Sequence, residues 1–152
     1  MGILVFIATF FFMEFVAWFT HKYIMHGIMW YFHEDHHVRE DQVSFFERND
    51  VFFLIFATPG ITCILLGTSL GIPYLFPIGL GITAYGFTYF MVHDIFIHQR
   101  FKVFRKSDNV YFKAIRRAHK MHHKHITKED GECFGMLVVP FKYFKSQKKQ
   151  TA

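Results

Sequence analysis

The sequence predicts an all-α integral membrane protein of about three transmembrane helices with a cytoplasmic, histidine-rich helical cap, and three observations lead there. From Val51 to Val92 the chain holds no Asp, Glu, Lys, Arg or His, and between Met1 and Thr20 the only ionisable side chain is Glu14. All seventeen Lys and Arg lie between Lys22 and Arg48 or between Arg100 and Lys149. Ten of the eleven histidines form a doubled pattern at the ends of the apolar runs or just beyond them.

A spanning helix needs about 20 predominantly apolar residues. Met1 to about Thr20 therefore makes one span, and the uncharged run from Val51 makes two. The turn between these two is expected near Ser69 to Pro77, where Gly71, Pro73 and Pro77 interrupt helix. A cleavable signal peptide does not fit the first segment, which starts uncharged and runs into His21 without small residues at a cleavage site. Three spans put both basic regions on one side of the membrane, and the positive-inside rule makes that side cytoplasmic. The amino terminus and the Ser69 to Pro77 turn then face outward. Residues Val110 to His123 alternate apolar and basic positions at roughly helical spacing, as suits a helix lying at the interface. Phe134 to Phe144 is apolar, too short to span and broken by Pro140, and reads as an interfacial lid or anchor. With 152 residues, 52% hydrophobic, residues 1–152 are expected to form a single domain. Most of the 22 Phe are expected to face lipid, and some can line a groove for a rigid substrate.

The histidines fall into two kinds of motif. His21 and His26, then His93 and His98, form pairs with four residues between; His33, His36 and His37, then His119, His122 and His123, form triplets. On an α-helix the triplet positions i, i+3 and i+4 share a face, so each triplet can aim three imidazoles at one place. Positions i and i+5 lie roughly 140° apart, so a pair is expected to reach two ions or to straddle a helix end. Imidazole is the commonest transition-metal ligand, and ten of them exceed the coordination of one ion, so two ions are implied. Histidine count does not choose between iron and zinc. His125 stands outside the pattern and, on a continuing helix, points roughly 200° away from His123.

Glu14 is a carboxylate inside a span and a functional candidate for that reason. Seven residues before His21, it can orient a ligating ring through the ring's outer nitrogen, or bond a neighbouring helix in its protonated form. Asp94, Glu34 and Asp35 adjoin candidate ligands and invite the same reading, with plain solvent exposure as the alternative. Gly79, Gly81 and Gly86 lack the spacing and preceding strand of a dinucleotide fingerprint, and close helix packing accounts for them better. Cys63 and Cys133 show no paired spacing, which leaves no basis for a disulfide framework or an iron–sulfur site. The basic segment from Arg100 to Lys128 suits anionic lipid and can also dock an acidic electron carrier. No nucleic acid is expected among the partners.

The words HKYIMHG, YFMVHD, HQRF and HKMHH resemble the membrane-bound fatty acid hydroxylase and desaturase superfamily, and within it the bacterial β-carotene 3-hydroxylases. The resemblance covers nearly the whole chain. It implies a non-haem di-iron monooxygenase that hydroxylates β-ionone rings with O2, giving cryptoxanthin and then zeaxanthin. It implies as ligands His21, His26, His33, His36, His37, His93, His98, His119, His122 and His123. Where the family commonly has Gly after the His-Asp of the third motif, this chain has Ile95. No flavin, nicotinamide or haem motif is present, so electrons are expected from a ferredoxin-type donor with NAD(P)H behind it. Two other functions stay open: a related hydroxylase or desaturase acting on an acyl chain or sterol, and a membrane metal-binding protein that is not an enzyme.

Overall fold

The computed structural model describes residues 1–38, 45–101, 103 and 107–145, and every regular element among them is helical. α1 (Gly2–Phe19) continues into a π-helical stretch, Thr20–Ile28, and a break at Gly27 leads into α2 (Trp30–His37). α3 (Val51–Ser69) and α4 (Leu75–Phe90) follow, and α4 also runs into a π-helix, Met91–Ile97. α5 (Val110–His122) is capped by Asn109, whose Oδ1 accepts from the N–H groups of Tyr111 at 2.9 Å and Phe112 at 3.3 Å.

Three helices are long and apolar enough to cross a membrane: Gly2–Ile28, Arg48–Ser69 and Leu75–Ile97. They coincide with the charge-poor runs because an α-helix satisfies its own backbone groups where no water can. Large apolar side chains such as Ile3, Phe11, Phe53, Leu65 and Phe87 are exposed on their surfaces, as lipid-facing positions must be. The turn between α3 and α4 is tighter than the expected interval. Gly71 and Tyr74 both adopt left-handed conformations, with φ of 62° and 70°. Pro77 falls inside the first turn of α4, where its missing N–H would have had no helical partner anyway.

α4 lies between α1 and α3, and two glycines explain how closely. A Cβ on Gly79 would lie 2.6 Å from the Gly60 carbonyl oxygen of α3, and one on Gly81 would lie 2.7 Å from Thr9 Cβ of α1. Gly86 differs from the packing expectation, since a Cβ there would meet nothing within 4 Å. Cys63 and Cys133 are both free cysteines. At the far end of the bundle α5 and the irregular segment after it form a second layer. Val92, Ile115 and Met136 make one buried apolar cluster there, and Ala114, Ala118 and Tyr143 another. All four histidine motifs sit between these two layers.

A candidate metal centre of two histidine clusters

Nine buried or nearly buried histidines resolve into two groups. His21, His26, His33, His37 and His122 form the first; His36, His93, His98 and His119 form the second. In each group the candidate ligand nitrogens all lie within 4.8 Å of one another. His123 lies between the groups, its ring 4.5 Å from His37 and His119, 4.7 Å from His36 and 4.9 Å from His98. All ten predicted residues are therefore brought together.

The division reverses the expectation from α-helical spacing. Each pair converges on a single cluster, and each triplet divides between the two. The physical reason for the first half is the π-helix. Hydrogen bonds that run i→i+5, such as His98 N–H to the His93 carbonyl at 2.9 Å, widen the turn and return residue i+5 to the face of residue i. The triplets divide because α2 and α5 pass between the clusters. His33 and His37, one turn apart, face the first, while His36 faces the second. In α5, His122 faces the first cluster and His119 the second.

The outer nitrogens settle the tautomers. His21 Nδ1 meets the Phe134 carbonyl at 2.9 Å, His26 Nδ1 that of Lys128 at 3.2 Å, His37 Nδ1 that of His125 at 2.9 Å and His122 Nδ1 that of Glu132 at 2.9 Å. His33 Nδ1 meets Asn49 Oδ1 at 2.7 Å, His36 Nδ1 meets Glu47 at 2.8 Å and His93 Nδ1 meets Asp94 at 3.2 Å. Those oxygens only accept, so Nδ1 carries the hydrogen in each ring and Nε2 carries a lone pair.

The lone pairs point at one another. Nε2 of His33 is 3.0 Å from that of His21 and 3.2 Å from that of His37, and the His36 and His93 Nε2 atoms are 3.0 Å apart. Neutral rings in these tautomers have no hydrogen to place between those atoms. Protonation is opposed too, because burial holds His33, His36 and His119 well below the ordinary imidazole value and brings His37 down to about 4. A cation resolves the repulsion. Two nitrogens each about 2.1 Å from a common ion lie at most about 4.2 Å apart, close to what both clusters already offer. The donor set thus fits a histidine-ligated metal site.

Glu14 does not orient a ring directly. It is 9% exposed, and its Oε1 accepts from the N–H groups of Met136 at 3.0 Å, Leu137 at 2.8 Å and Val138 at 2.9 Å, while Oε2 accepts from the Tyr85 hydroxyl at 2.7 Å. It ties the segment after α5 to α1 and α4. That segment supplies the carbonyls of Lys128, Glu132 and Phe134 to the first cluster. The apolar stretch from Phe134 is thus a strap over this cluster, and the Phe134 ring packs against His21, His26 and His122. Asp94 Oδ2 lies 3.2 Å from His93 Nδ1. Glu34 and Asp35 instead meet Arg48, at 3.8 and 3.4 Å. Ile95 lies within the π-helix, where a side chain is accommodated without left-handed backbone.

Sequence reasoning missed Glu47 and Asn49, on the short helical turn before α3. Their one signal is that both are polar residues at the start of a span, and it gains meaning only once the fold sets α2 beside them. Burial raises the Glu47 carboxyl, with Arg100 opposing the effect, and a dication at the second cluster would oppose it further. His125 contributes its main-chain carbonyl rather than its ring. The helical geometry expected for it does not apply, because α5 ends at His122.

Fold and site together define a membrane protein whose paired histidine clusters, at one end of a three-helix bundle, fit a histidine-ligated metal site. The profile of the fatty acid hydroxylase family matches residues 6–143, and the chain belongs to that family of hydroxylating enzymes. It is 44% identical over 128 residues to the beta-carotene hydroxylase of Pantoea ananas, covering 84% of this chain and 71% of that protein. It is 42% identical to the beta-carotene hydroxylase of Pseudescherichia vulneris, covering 82% and 69%. Identity to the chloroplastic beta-carotene hydroxylase 1 of Capsicum annuum is 37%, over 84% of this chain and 40% of the longer plant protein. No solved structure matches the chain.

Proposed function

We propose that the protein is a β-carotene 3-hydroxylase working as a single unit over residues 1–152, with two iron ions held by the ten histidines of the four motifs. The observation that carries the metal reading is the set of buried neutral imidazoles whose Nε2 lone pairs face one another without hydrogens between them. The hydroxylase family and the names of the relatives carry the reaction and substrate class. Bound iron supplies what zinc lacks, one-electron redox chemistry able to activate O2.

The overall conversion takes a ring C–H, O2, two electrons and two protons to C–OH and water. The chain's own part is to hold and orient. Nδ1–H bonds to carbonyls, Asn49, Glu47 and Asp94 keep seven rings turned inward, so little reorganisation is left for metal binding. The strap and α5 lie over the clusters on the side away from the spans, and the cavity that reaches the second cluster is lined by His36, His98, Arg116, His119, Lys120 and His123. The one-sided distribution of Lys and Arg supports a cytoplasmic location of this end in a bacterial cytoplasmic membrane. A water-borne, ferredoxin-type donor would meet the basic surface of the Arg100 to Lys128 region there.

Expression in a bacterial host that accumulates β-carotene tests the reading, with pigments separated by chromatography. Zeaxanthin with some cryptoxanthin is expected, because each ring must be presented in a separate event. Membrane-inserted protein with about two irons per chain and no hydroxylated carotenoid would redirect the assignment to an acyl-chain or sterol substrate. Two zinc ions and no product would leave only metal binding. Reporter fusions after Pro73 and after Lys149 test sidedness separately and should report opposite compartments.

A further inference from the structure

The partners of the outer nitrogens are not of one kind. Among the first cluster's rings, His21, His26, His37 and His122 donate to main-chain carbonyls and His33 to the Asn49 amide, all of them neutral acceptors. In the second cluster His36 donates to Glu47 and His93 to Asp94, both carboxylates. These carboxylates are shielded from water, with the Glu47 side chain 15% exposed and that of Asp94 19%. Arg100 meets Asp94 at 3.1 Å and Asp50 at 2.8 Å, so one guanidinium stands against three carboxylates on this side.

A carboxylate accepting from Nδ1–H pushes electron density into the imidazole and raises the basicity of Nε2, more than a carbonyl does. Low local dielectric strengthens the effect. We propose that the two metal positions are electronically unequal, the second cluster being the more electron-rich and the first to lose an electron, with Glu47 and Asp94 as the positioning residues that set the difference. This rests on the reading that both clusters hold iron. The source of the asymmetry is compact: Glu47 and Asn49, two residues apart on one turn, address one cluster each.

The proposal is tested on the full chain in detergent, loaded anaerobically with isotopically enriched ferrous iron and oxidised stepwise with ferricyanide. Each step takes one electron from ferrous iron, giving ferric iron and ferrocyanide. Mössbauer spectra should show one ferrous component disappearing before the other. Glu47→Gln should move the midpoint of the early component upward and leave the late one in place. Asn49→Asp, which puts a carboxylate on the first cluster, should draw the late midpoint down and narrow the separation, and it serves if Glu47→Gln does not fold. Two irons sharing a single midpoint in the unaltered protein overturn the proposal alone. So does a Glu47→Gln shift that moves both components equally. Fewer than two irons per chain overturns the two-ion reading and the proposal with it.

Discussion

Glu14, in the middle of the first span, holds the main-chain N–H of Leu137 at 2.8 Å although 123 residues separate them. The same oxygen holds the flanking N–H groups of Met136 and Val138. A carboxylate with these donors needs no aqueous shell, which accounts for its presence in an otherwise apolar helix.

Replacing Glu14 by Leu leaves three strap N–H groups and the Tyr85 hydroxyl without their acceptor. Losing a buried acceptor that four donors share should cost about 3 kcal/mol or more. Thermal unfolding in detergent should fall by several degrees, and iron retention should weaken with it. Glu14→Gln keeps an acceptor for the strap and should lose clearly less. Equal stability of the Leu variant and the parent would show that the strap is held by other means.

Metal content should follow the division of the clusters. His21→Ala or His33→Ala is expected to lower iron from about two to about one per chain, and the His21→Ala/His33→Ala double variant should stay near one. His21→Ala/His98→Ala should approach none, since it strikes both clusters. His125→Ala preserves the main-chain oxygen that His37 uses and should keep both ions. His125→Pro removes the N–H that donates to the His122 carbonyl at 3.2 Å and should not. Equal losses from both double variants would contradict the partition.

Acid should destabilise the metal-free protein before it reaches ordinary carboxylates. His37 is brought by burial from 6.5 to about 4 in the folded chain. The unfolded chain therefore binds an extra proton between those values, so this contribution is complete above about pH 6.5 and lost as pH falls toward about 4. A shift of that size corresponds to about 3 kcal/mol. His33, His36 and His119 act in the same direction. Unfolding temperature measured from about pH 7.5 to about pH 5 should drop steadily, and bound metal should flatten the curve. An invariant transition across that range would refute the account.

Gly79 and Gly86 make a matched pair for helix packing. Gly79→Ala places a Cβ against main-chain atoms of Gly60 and Ile64 that cannot rotate aside, at 2.6 and 2.7 Å, and should cost about 1–3 kcal/mol. Gly86→Ala meets open space and should be neutral or stabilising by up to about 1 kcal/mol. The comparison is read from thermal unfolding of the two variants side by side.

The spans were legible because charge is excluded from lipid, and Val51 to Val92 shows that exclusion directly. That the ten histidines gather at one place was legible because ten of them in two repeated spacings serve no ordinary packing or surface role. Their assignment to clusters was not, because it depends on backbone that is π-helical at His21 and His93, whereas spacing arguments assume 3.6 residues per turn. The carbonyls of Phe134, Lys128 and Glu132 left no trace at all, since a main-chain acceptor places no demand on residue type. Glu14 was identified as significant from its cost, but its partners lie in a strap that only the tertiary fold brings near.

The π-helical runs at Thr20–Ile28 and Met91–Ile97 also change what an insertion or deletion means in this protein. Removing one residue between His21 and His26 would leave positions i and i+4, which an ordinary α-helix already puts on one face. Residue count and hydrogen-bond class can therefore change together while the imidazoles keep their target. A shortened gap is in this sense a repairable edit. Widening the gap to i, i+6 is not, since neither helix type puts those two positions on one face.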